Sequence, residues 1–425
     1  MPAGRAAELR RMGNEARWPV VVVGGGAAGH MAAIAAARAG RRVLLLEGSD
    51  KPLAKVRVSG GGRCNVTNAG LARASGTAQL ARCYPRGAGF LRQVFKTFGQ
   101  PDTVALFASL GVDLHTEEDG RMFPVTNDAR TVIEALQAAA LQAGVTTRLR
   151  HPVRSLETHD RGWRLHGPFG ALDATAVVVA TGGSPKAEGL AWLGQLGHRI
   201  VPPVPSLFTF NIADRALRAR MGVVADPVRV RLAGLGLESS GPLLVTHWGL
   251  SGPAVLRLSA FGARQLHERQ YRLTVLVDWT GGAGEQAVVR ALAQAAADHP
   301  RKHLANTPLF GLAARLWLFL LEAAGLPPVK PWNELGRRGR DKLVAVLTNQ
   351  GFEVQGKTTF KEEFVTAGGV TLDEVDPRTM ESRVAPGLFF AGEVLDIDGI
   401  TGGYNFQAAW STGHLAGLHA ACRPA

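Results

Sequence analysis

The segment over residues 19–50 constrains the fold most, because it joins an apolar strand, a glycine turn, a small-residue helix and a second apolar strand. Val20 to Val23 form an unbroken β-branched run, which is typical of a parallel strand buried on both faces. An alanine-rich stretch over 30–39 then predicts a helix that Gly40 ends as its C-cap. Val43 to Leu46 predict the second strand. This order predicts the strand–turn–helix–strand unit of a dinucleotide-binding fold.

The glycine turn inside this unit matches G-x-G-x-x-G, and each glycine has a mechanical role. Gly24 permits the tight turn, Gly26 lets backbone approach a pyrophosphate, and Gly29 allows the helix to pack closely on the strand. Glu47 follows Gly29 by 18 residues, close to the spacing of the acid that binds a ribose 2′-OH. A carboxylate there repels a 2′-phosphate, so the pattern favours a nucleotide of the NAD or FAD type. The alternative is a glycine turn that binds nothing.

A second glycine-rich segment, SGGGRCNVTN over residues 59–68, follows the second strand. Its position predicts a loop at the carboxyl edge of the sheet, beside the nucleotide. Because Arg63 and Asn65 add polar groups to the backbone donors, we favour an ordered cradle over a mobile glycine loop. Cys64 has two interpretations, a thiol with a lowered pKa and a packing residue, of which packing is favoured.

Further elements follow from local patterns. Two short helices are expected over 89–110, on either side of Pro101. A hairpin is expected around Asp119-Gly120, and a helix capped by Asn127-Asp128. A short strand over 171–173 and a separate buried strand over 177–180 complete this region, and the second of them runs into another glycine pair.

The middle of the chain differs in character. The proline-rich stretch VPPVP over 201–205 predicts a linker, after which four β-like stretches appear. Ser251 is the expected cap of the next helix, and helical pattern dominates 285–326. The apolar run LWLFLL at 316–321 is expected in the core, with a dimer face and a membrane-surface contact as alternatives. Six residues cannot span a bilayer, so no transmembrane segment is predicted.

Composition bounds the class of protein. The 425 residues carry a net charge of +13 with a pI of about 10.3, so a nucleic-acid or membrane partner and general arginine enrichment are both open. Because 39 arginines and 9 lysines are spread along the chain, we favour enrichment and expect no nucleic-acid partner. The three cysteines form no C-x-x-C, so neither a metal site nor a disulfide framework is expected, and a cytoplasmic location is predicted. The first residues contain no apolar signal region, and both Met1 and Met12 remain open as the start.

Seven motifs together resemble one flavoprotein family, the BaiN-like or YhiN-like (aminoacetone-oxidase-like) FAD-dependent oxidoreductases. They are VVVGGGAAG, SGGGRCNVTN, VVVATGG, THWGLSGPA, VTAGGV, TMES and AGEVLDIDGITGGYNFQAAWSTG. The resemblance implies an α/β fold: a Rossmann-like FAD-binding domain of the two-dinucleotide-binding-domain type, built from both chain ends. It implies FAD-binding parts at 19–190 and 356–425, a β-barrel-like insertion at 191–280 that resumes near 340–355, and a small helical insertion at 281–340.

The resemblance also implies FAD contacts at the N-terminal motifs. The pyrophosphate would lie against the first turn, formed by Gly24, Gly26, Ala27, Ala28 and Gly29. Glu47 would bind the AMP ribose, and the backbone of Val153 would meet the adenine. The second glycine segment would lie along FAD near the flavin, through Ser59, Gly60, Gly61, Gly62, Arg63, Cys64, Asn65 and Thr67.

Three later motifs complete the implied FAD site. Ala180, Thr181 and Gly182 match a flavin motif. Gly392 and Glu393 match the motif whose acid binds the ribityl chain. Backbone donors near the N1–O2 edge of the flavin would come from Gly403, Tyr404, Asn405 and Phe406.

The implied activity is an FAD-dependent oxidoreductase whose flavin N5 exchanges a hydride with a small organic substrate. NAD(P)H is a candidate donor, and reductase and oxidase both remain open. A second G-x-G-x-x-G and a C-x-x-C are absent, which argues against a disulfide reductase with its own NADPH domain. Two alternatives are a flavin-containing RNA-associated protein and a protein that holds FAD as a structural ligand. His247 is a candidate for proton transfer, and Arg63 and Tyr404 are candidates for substrate contact. None of the three is assigned as catalytic. A purely structural role is an equally good interpretation of His247.

Overall fold

The computed structural model describes residues 17–73, 76–184, 186–358 and 365–424. The two candidate start positions, Met1 and Met12, and residues 359–364 lie outside the described residues. The chain divides into two compact units. The first combines residues up to 204 with those from 361 onward, and the second contains residues 205–360.

The N-terminal part of the first unit alternates strands and helices. Its strands are β1 Trp18–Val23, β2 Val43–Leu46, β3 Thr67–Asn68, β4 Leu114–Thr116, β5 Arg121–Pro124, β6 Thr146–Arg148, β7 Ser155–His159, β8 Gly162–Gly167, β9 Gly170–Val179 and β10 Ile200–Ser206. Its helices are α1 Ala27–Arg38, α2 Ala54–Gly62, α3 Thr77–Ala81, α4 Ala88–Thr97, α5 Gln100–Ser109, α6 Ala129–Gln142 and α7 Ala191–Gly194.

The second unit is a barrel with helices on the same core. Its strands are β11 Thr209–Ile212, β12 Val224–Leu232, β13 Leu237–Val245, β14 Gly249–Ser251, β15 Leu273–Asp278 and β16 Gln350–Thr358. Its helices are α8 Arg215–Arg218, α9 Pro253–Phe261, α10 Ala263–Glu268, α11 Glu285–Asp298, α12 Ala314–Ala323 and α13 Gly336–Asn349. The strands close in the order β11-β14-β13-β12-β15-β16, with β16 paired to both β15 and β11. Barrel strands and the helices over 281–340 share one hydrophobic core.

The C-terminal part completes the main sheet of the first unit. It adds β17 Val365–Val370, β18 Leu388–Phe390 and the long helix α14 Tyr404–Ala421. Strands β6, β2, β1, β9 and β18 lie side by side and parallel, while β7 and β8 extend the sheet antiparallel from β9. The inner strands β1 and β2 are almost completely buried, as the unbroken apolar runs predict. The predicted α/β class with a Rossmann-like sheet is therefore confirmed.

Helix α14 packs on α1 at very short range. A Cβ added at Gly413 would lie 2.4 Å from the carbonyl oxygen of Ala28, and one at Gly417 would lie 2.1 Å from that of Ala32. Because the contacts advance by four residues on each helix, the two helices run parallel. Glycine at these two positions is what allows backbone to approach backbone.

Most local predictions are confirmed. The hairpin forms with β4 and β5 as its strands, and Asp128 caps α6 by accepting a hydrogen bond from the Arg130 N–H at 2.8 Å. The run over 316–321 lies in α12 with five of its residues buried, as expected of a core helix. Among the described helices, none is long and apolar enough to cross a membrane.

Three predictions are wrong. The proline-rich stretch over 201–205 is not a linker but strand β10, which pairs with β17 in a two-stranded sheet. Both strands of such a pair are edges, so prolines are tolerated there. The two predicted strands over 171–180 are the single long strand β9, which pairs with β8 in its first half and with β18 in its second. Ser251 ends β14 instead of capping α9, and Gly252, with φ +92°, is the N-cap.

The contact between α1 and α14 gives a stability prediction. Gly417→Ala should raise the intrinsic helix propensity by about 1 kcal/mol, yet lower the free energy of unfolding by about 1–3 kcal/mol, because the new methyl group meets the Ala32 carbonyl. Urea unfolding measures the change. Gly194→Ala in α7 is the matched control, since a Cβ there has no neighbour within 4 Å. Equal effects of the two substitutions would contradict the packing argument.

Candidate functional site

The glycine turn between β1 and α1 is tight on one side and open on the other. Gly24 has φ +109°, and a Cβ there would lie 2.4 Å from the Ala180 carbonyl oxygen. A Cβ at Gly29 would lie 1.8 Å from the Gly24 carbonyl oxygen. A Cβ at Gly26, by contrast, meets nothing within 4 Å. Gly24 and Gly29 are therefore required by packing, whereas Gly26 borders open space.

The N-terminus of α1 is free to bind an anion. Gly26 is its N-cap, no side chain caps it, and no acidic residue lies in its first turn. Ala27 and Ala28 begin the helix, so their backbone N–H groups have no partner within the helix. Unpaired N–H groups and the helix dipole together favour a phosphate at this position.

Glu47 lies at the end of β2, next to the glycine turn. One carboxylate oxygen accepts a hydrogen bond from the Gly25 N–H at 2.7 Å, and the other accepts one from the Ser49 N–H at 2.7 Å. These two bonds fix the carboxylate at the carboxyl edge of the sheet. Its binding of a ribose hydroxyl remains a prediction.

His30 is a site residue that the sequence pattern did not single out. Its side chain is buried in the first turn of α1, and burial lowers its pKa below the ordinary value. Nδ1 lies 3.2 Å from the Gly26 carbonyl oxygen, so the neutral ring donates its Nδ1 proton to that oxygen. An uncharged imidazole thus stiffens the turn. Its position directly after the last glycine was the available signal.

The second glycine segment interrupts α2 before its last residues with a left-handed turn. Ser59 is extended, and Gly60, Gly61 and Gly62 have φ values of +59°, +69° and +87°. The Cys64 N–H closes the loop by donating to the Ser59 carbonyl at 3.0 Å. A Cβ at Gly60 would meet the Phe123 ring at 2.8 Å, whereas Gly61 and Gly62 face open space.

The favoured interpretation of Cys64 as a packing residue is confirmed, and the alternative of a thiol with a lowered pKa is wrong. The side chain is fully buried, and burial raises the pKa of its thiol to about 12. A thiol in this state is neither a nucleophile nor a redox group at neutral pH. Cys64 is a packing residue, and any contact with a cofactor would use its backbone.

Arg63 is held on the protein side of the loop. Its guanidinium forms an ion pair with Glu117 at 2.7 Å and stacks over the Phe123 ring, with 4.0 Å from Cζ to the centroid. Arg121 binds the other oxygen of the same Glu117 at 2.7 Å. Glu117 thus orients both arginines, and the side chain of Arg63 is about one-third exposed.

A buried polar network joins Thr67 to α14. The Thr67 hydroxyl donates to Gln407 Oε1 at 2.5 Å, and Gln407 Nε2 donates to Thr103 Oγ1 at 2.8 Å and to Ser411 Oγ at 2.9 Å. The Asn65 amide, oriented to satisfy both neighbours, donates to the Thr67 carbonyl at 3.0 Å and accepts from the Gly403 N–H at 3.1 Å. Because its hydroxyl is hydrogen-bonded to Gln407, Thr67 has a positioning role.

The segment before α14 is clamped from several sides. Asp398, which is fully buried, forms a bidentate ion pair with Arg86. The Asn405 side chain donates to the Gly399 carbonyl at 2.9 Å and accepts from its N–H at 2.8 Å. The Tyr84 hydroxyl donates to the Tyr404 carbonyl at 2.8 Å. These bonds fix the start of α14.

The N-terminus of α14 is a second open helix end. Gly403 is its N-cap with φ +91°, no side chain caps it, and no acid lies in its first turn. A Cβ at Gly403 would lie 2.4 Å from the Thr67 carbonyl oxygen, so only glycine fits there. The N–H groups of the first turn, which includes Phe406, have no partner within the helix.

The motif around Glu393 lies close to the end of β9. Glu393 Oε1 accepts from the Thr366 N–H at 2.8 Å, and Oε2 pairs with Lys55 at 2.7 Å. A Cβ at Gly183 would lie 2.6 Å from Glu393 Oε1, which places that carboxylate beside the glycines after β9. Thr181 is exposed, Gly182 is half-buried with φ +78°, and Gly392 donates its N–H to the Thr412 hydroxyl at 2.9 Å.

Two candidates lie elsewhere. Val153 is half-buried between β6 and β7 in the first unit. His247 belongs to the second unit, where it is exposed in the turn between β13 and β14 with its ring against Trp248. Neither residue makes a contact that assigns it a role in chemistry.

The two open helix ends fit an elongated dinucleotide. Helices α1 and α14 run parallel, and Gly413 contacts Ala28. Gly413 is the tenth residue of α14, whereas Ala28 is the second residue of α1. The N-terminus of α14 therefore projects about 12 Å beyond that of α1. Both ends point to the carboxyl edge of the sheet, and the left-handed loop over 60–62 faces open space nearby. One helix end suits the pyrophosphate, and the other suits the pyrimidine edge of a flavin.

Cys64 gives a prediction that separates packing from chemistry. With a pKa of about 12, only on the order of one Cys64 thiol in ten thousand is ionised at pH 8. Exposed Cys422 should therefore react with a maleimide in the native protein at pH 8, whereas Cys64 should react only after unfolding. Peptide mass spectrometry identifies the labelled residue. Labelling of native Cys64 as fast as Cys422 would contradict the buried, protonated thiol.

Comparison with known proteins agrees with this geometry. The family model described as HI0933-like protein Rossmann domain matches residues 18–419. A 3-dehydro-bile acid delta(4,6)-reductase of Clostridium scindens is 32% identical over 95% of this chain and 99% of its own length. A ribosomal RNA dihydrouridine synthase of Escherichia coli is 32% identical over 93% of this chain and 96% of its own length.

Among solved structures, the fold is similar to that of a 3-ketosteroid-Δ4-(5α)-dehydrogenase of Rhodococcus jostii RHA1. The TM-score is 0.53 at 16% identity, over 96% of this chain and 97% of the other. That likeness shows the fold, and the sequence matches show the family. The chain belongs to the HI0933-like family of FAD-dependent oxidoreductases of the BaiN and YhiN type.

Proposed function

We propose that this FAD-dependent oxidoreductase reduces carbon–carbon double bonds that are conjugated to a carbonyl group. The observation that carries the proposal is that two relatives with very different substrates share this reaction. The name of the C. scindens relative describes reduction of double bonds in a 3-oxo bile acid. The name of the E. coli relative describes formation of dihydrouridine, which is uridine with its C5–C6 bond reduced. Both bonds are conjugated to a carbonyl.

The shared chemistry defines what the site must do. A hydride adds to the carbon β to the carbonyl, and a proton adds to the α carbon, so the double bond gains two hydrogens. Bound FAD supplies the hydride from flavin N5. The protein holds the substrate carbonyl, provides the proton and excludes water.

The residues of the first unit support cofactor binding for this chemistry. Gly26, Ala27 and Ala28 would bind the pyrophosphate at the N-terminus of α1, and Glu47 the AMP ribose. The N-terminus of α14, from Gly403 to Phe406, would bind the pyrimidine edge of the flavin. The positive end of that helix dipole favours negative charge at this edge, which would assist reduction of the bound flavin by its hydride donor.

The electron donor belongs to the same proposal. We infer that NAD(P)H reduces the bound flavin and departs before the acceptor binds, because the chain contains no second G-x-G-x-x-G unit for a resident nicotinamide nucleotide. The donor and the acceptor then use the flavin in turn. An oxidase would instead pass the electrons to oxygen.

A uridine in RNA is the second candidate acceptor beside a small enone. Two observations favour it: the name of the E. coli relative, and the net charge of +13, which suits a polyanionic substrate. Free uracil compounds and steroid enones carry no phosphate chain and gain nothing from that charge. Added salt should therefore weaken the binding of an RNA substrate but not that of a small enone, which distinguishes the two substrate classes.

The reductase proposal predicts two visible events. Anaerobic NADH or NADPH should bleach the flavin band, and a 3-oxo-Δ4 steroid or a uridine-containing rRNA fragment should restore it stoichiometrically. Stopped-flow absorbance follows both steps, and mass spectrometry identifies a product heavier by two hydrogens. Isolated alkenes without a carbonyl are the control and should not reoxidise the flavin. Reoxidation by oxygen alone, with every conjugated acceptor inert, would sink the proposal.

The open cradle gives a prediction about cofactor affinity. Gly26→Ala should leave the thermal unfolding temperature of the apoprotein unchanged, because a Cβ there meets no atom and φ −82° suits any residue. FAD affinity should nevertheless fall about tenfold or more, about 1.4 kcal/mol, because the methyl group enters the pyrophosphate space. Flavin fluorescence titration measures it. Gly194→Ala, at a glycine outside the cradle where a Cβ also meets no atom within 4 Å, is the control and should leave the affinity unchanged. Unchanged affinity in Gly26→Ala would contradict the assignment.

A further inference from the structure

We propose that the second unit binds the phosphate backbone of RNA through one basic surface. This surface, called the basic face below, is formed by residues 301–304 and 328–342. Its cations are Arg301, Lys302, Lys330, Arg337, Arg338, Arg340 and Lys342. Its acids are Glu334 and Asp341. The inference rests on the uridine form of the proposed function, and it adds where the polyanion binds.

The net charge of the protein is concentrated in the second unit. Residues 205–360 carry 19 Lys and Arg against 11 Asp and Glu, so this unit holds +8 of the +13. The two segments of the basic face supply seven of those cations and two of those acids. Arginine is therefore not spread evenly, and the excess peaks on one part of the second unit.

Backbone hydrogen bonds bring the two segments together. His303 and Pro331 form an antiparallel bridge. The Leu304 N–H donates to the Lys330 carbonyl at 2.9 Å, and the Trp332 N–H donates to the Lys302 carbonyl at 3.1 Å. Arg301 and Lys302 thus lie beside the turn from which α13 begins.

Helix α13 presents its cations to solvent. Its second half is anchored in the core by Leu343, Val344 and Leu347. Its first half carries Arg337, Arg338 and Lys342, which are exposed. These side chains, with Asp341 and Ala345, line a shallow, open depression of the surface.

Folding does not explain this clustering. Cations at a helix N-terminus oppose the helix dipole, and like charges repel one another. Asp341 offsets only part of the charge, lying 3.9 Å from Arg337 Nε and 3.5 Å from Arg340 Nε. Within the described part of the chain, no ion-pair partner is found for Arg301, Lys302, Lys330, Arg338 or Lys342. A bound anionic ligand would offset the remaining repulsion between these cations.

The composition of the basic face favours RNA over a membrane. A membrane-surface helix needs large apolar side chains beside its cations. Among the described residues of the basic face, Val329 is the one large exposed hydrophobic side chain. Trp332 is only 1% exposed, so it does not stack on bases. The face therefore contacts phosphates, which contributes affinity and strong salt dependence without reading sequence.

The test compares two triple variants of the FAD-loaded protein. Arg337→Gln, Arg338→Gln and Lys342→Gln together remove three charges from the basic face. Arg269→Gln, Arg272→Gln and Arg290→Gln remove three exposed charges from the same unit outside it. Both triples change the net charge equally. Fluorescence anisotropy of a labelled, structured rRNA fragment gives the affinity over a series of KCl concentrations.

The basic-face triple should weaken RNA binding about tenfold or more and lower the slope of log K against log salt by about two. The control triple should change affinity less than about threefold. Arg337→Lys with Arg338→Lys, which keeps the charge, should retain binding. Equal losses in both triples, or no loss in the basic-face triple, would overturn the proposal. Binding to phosphatidylserine vesicles with none to RNA would also overturn it.

The same preparations separate this inference from the proposed function. Turnover of a small steroid enone should be equal in wild type and both triples. If the protein reduces the enone but does not bind RNA, the reductase proposal stands and the RNA-binding inference is contradicted. If the protein binds RNA through the basic face but reduces no conjugated acceptor, the RNA-binding inference stands and the reductase proposal is contradicted.

Discussion

The approach of glycine to carbonyl between α14 and α1 is the contact on which the candidate site depends. At Gly413 and Gly417 a single added carbon would collide with the backbone of Ala28 and Ala32. The contact fixes the two helices parallel and sets the distance by which one N-terminus projects past the other. Both ends of the chain thereby deliver an open helix end to the same edge of the sheet. Neither helix N-terminus alone could bind both parts of a dinucleotide.

Rigidity around these helix ends comes from polar groups that are all satisfied within the protein. Gln407 bonds three neighbouring hydroxyls, and the Asp398–Arg86 pair holds the segment before α14. A buried network of this kind specifies one geometry, since breaking any member leaves another without a partner. The same bonds explain why Thr67 and Asn65 position the loop, and under the proposed function its backbone groups would contact the cofactor. Side-chain identity in the motifs thus preserves the positions of main-chain donors.

The sequence predicted what local pattern determines and missed what tertiary pairing determines. The buried valines of β1, the leucines of β2 and the Asp128 cap follow from periodicity and capping chemistry, and the structure has them. The strand β10 was missed because proline excludes a central strand, and only the pairing with β17 shows that this strand is an edge. For Cys64 the sequence favoured packing but left a lowered pKa open, and only the fold, which buries the thiol, decides between them. His30, Lys55 and Gln407 needed the folded neighbours to show their roles.

The barrel is closed by strands that lie at the two ends of the inserted unit. Thr209 at its start pairs with Thr358 at its end, so the insertion leaves where it enters. Such a unit can complete its own core as soon as it has emerged from the ribosome. The sheet of the first unit cannot, because β18 and α14 follow the insertion in the chain, and the strands before the insertion must wait for them. During translation the insertion therefore matures before the domain that contains it, and the half-made cofactor domain is the species most exposed to aggregation.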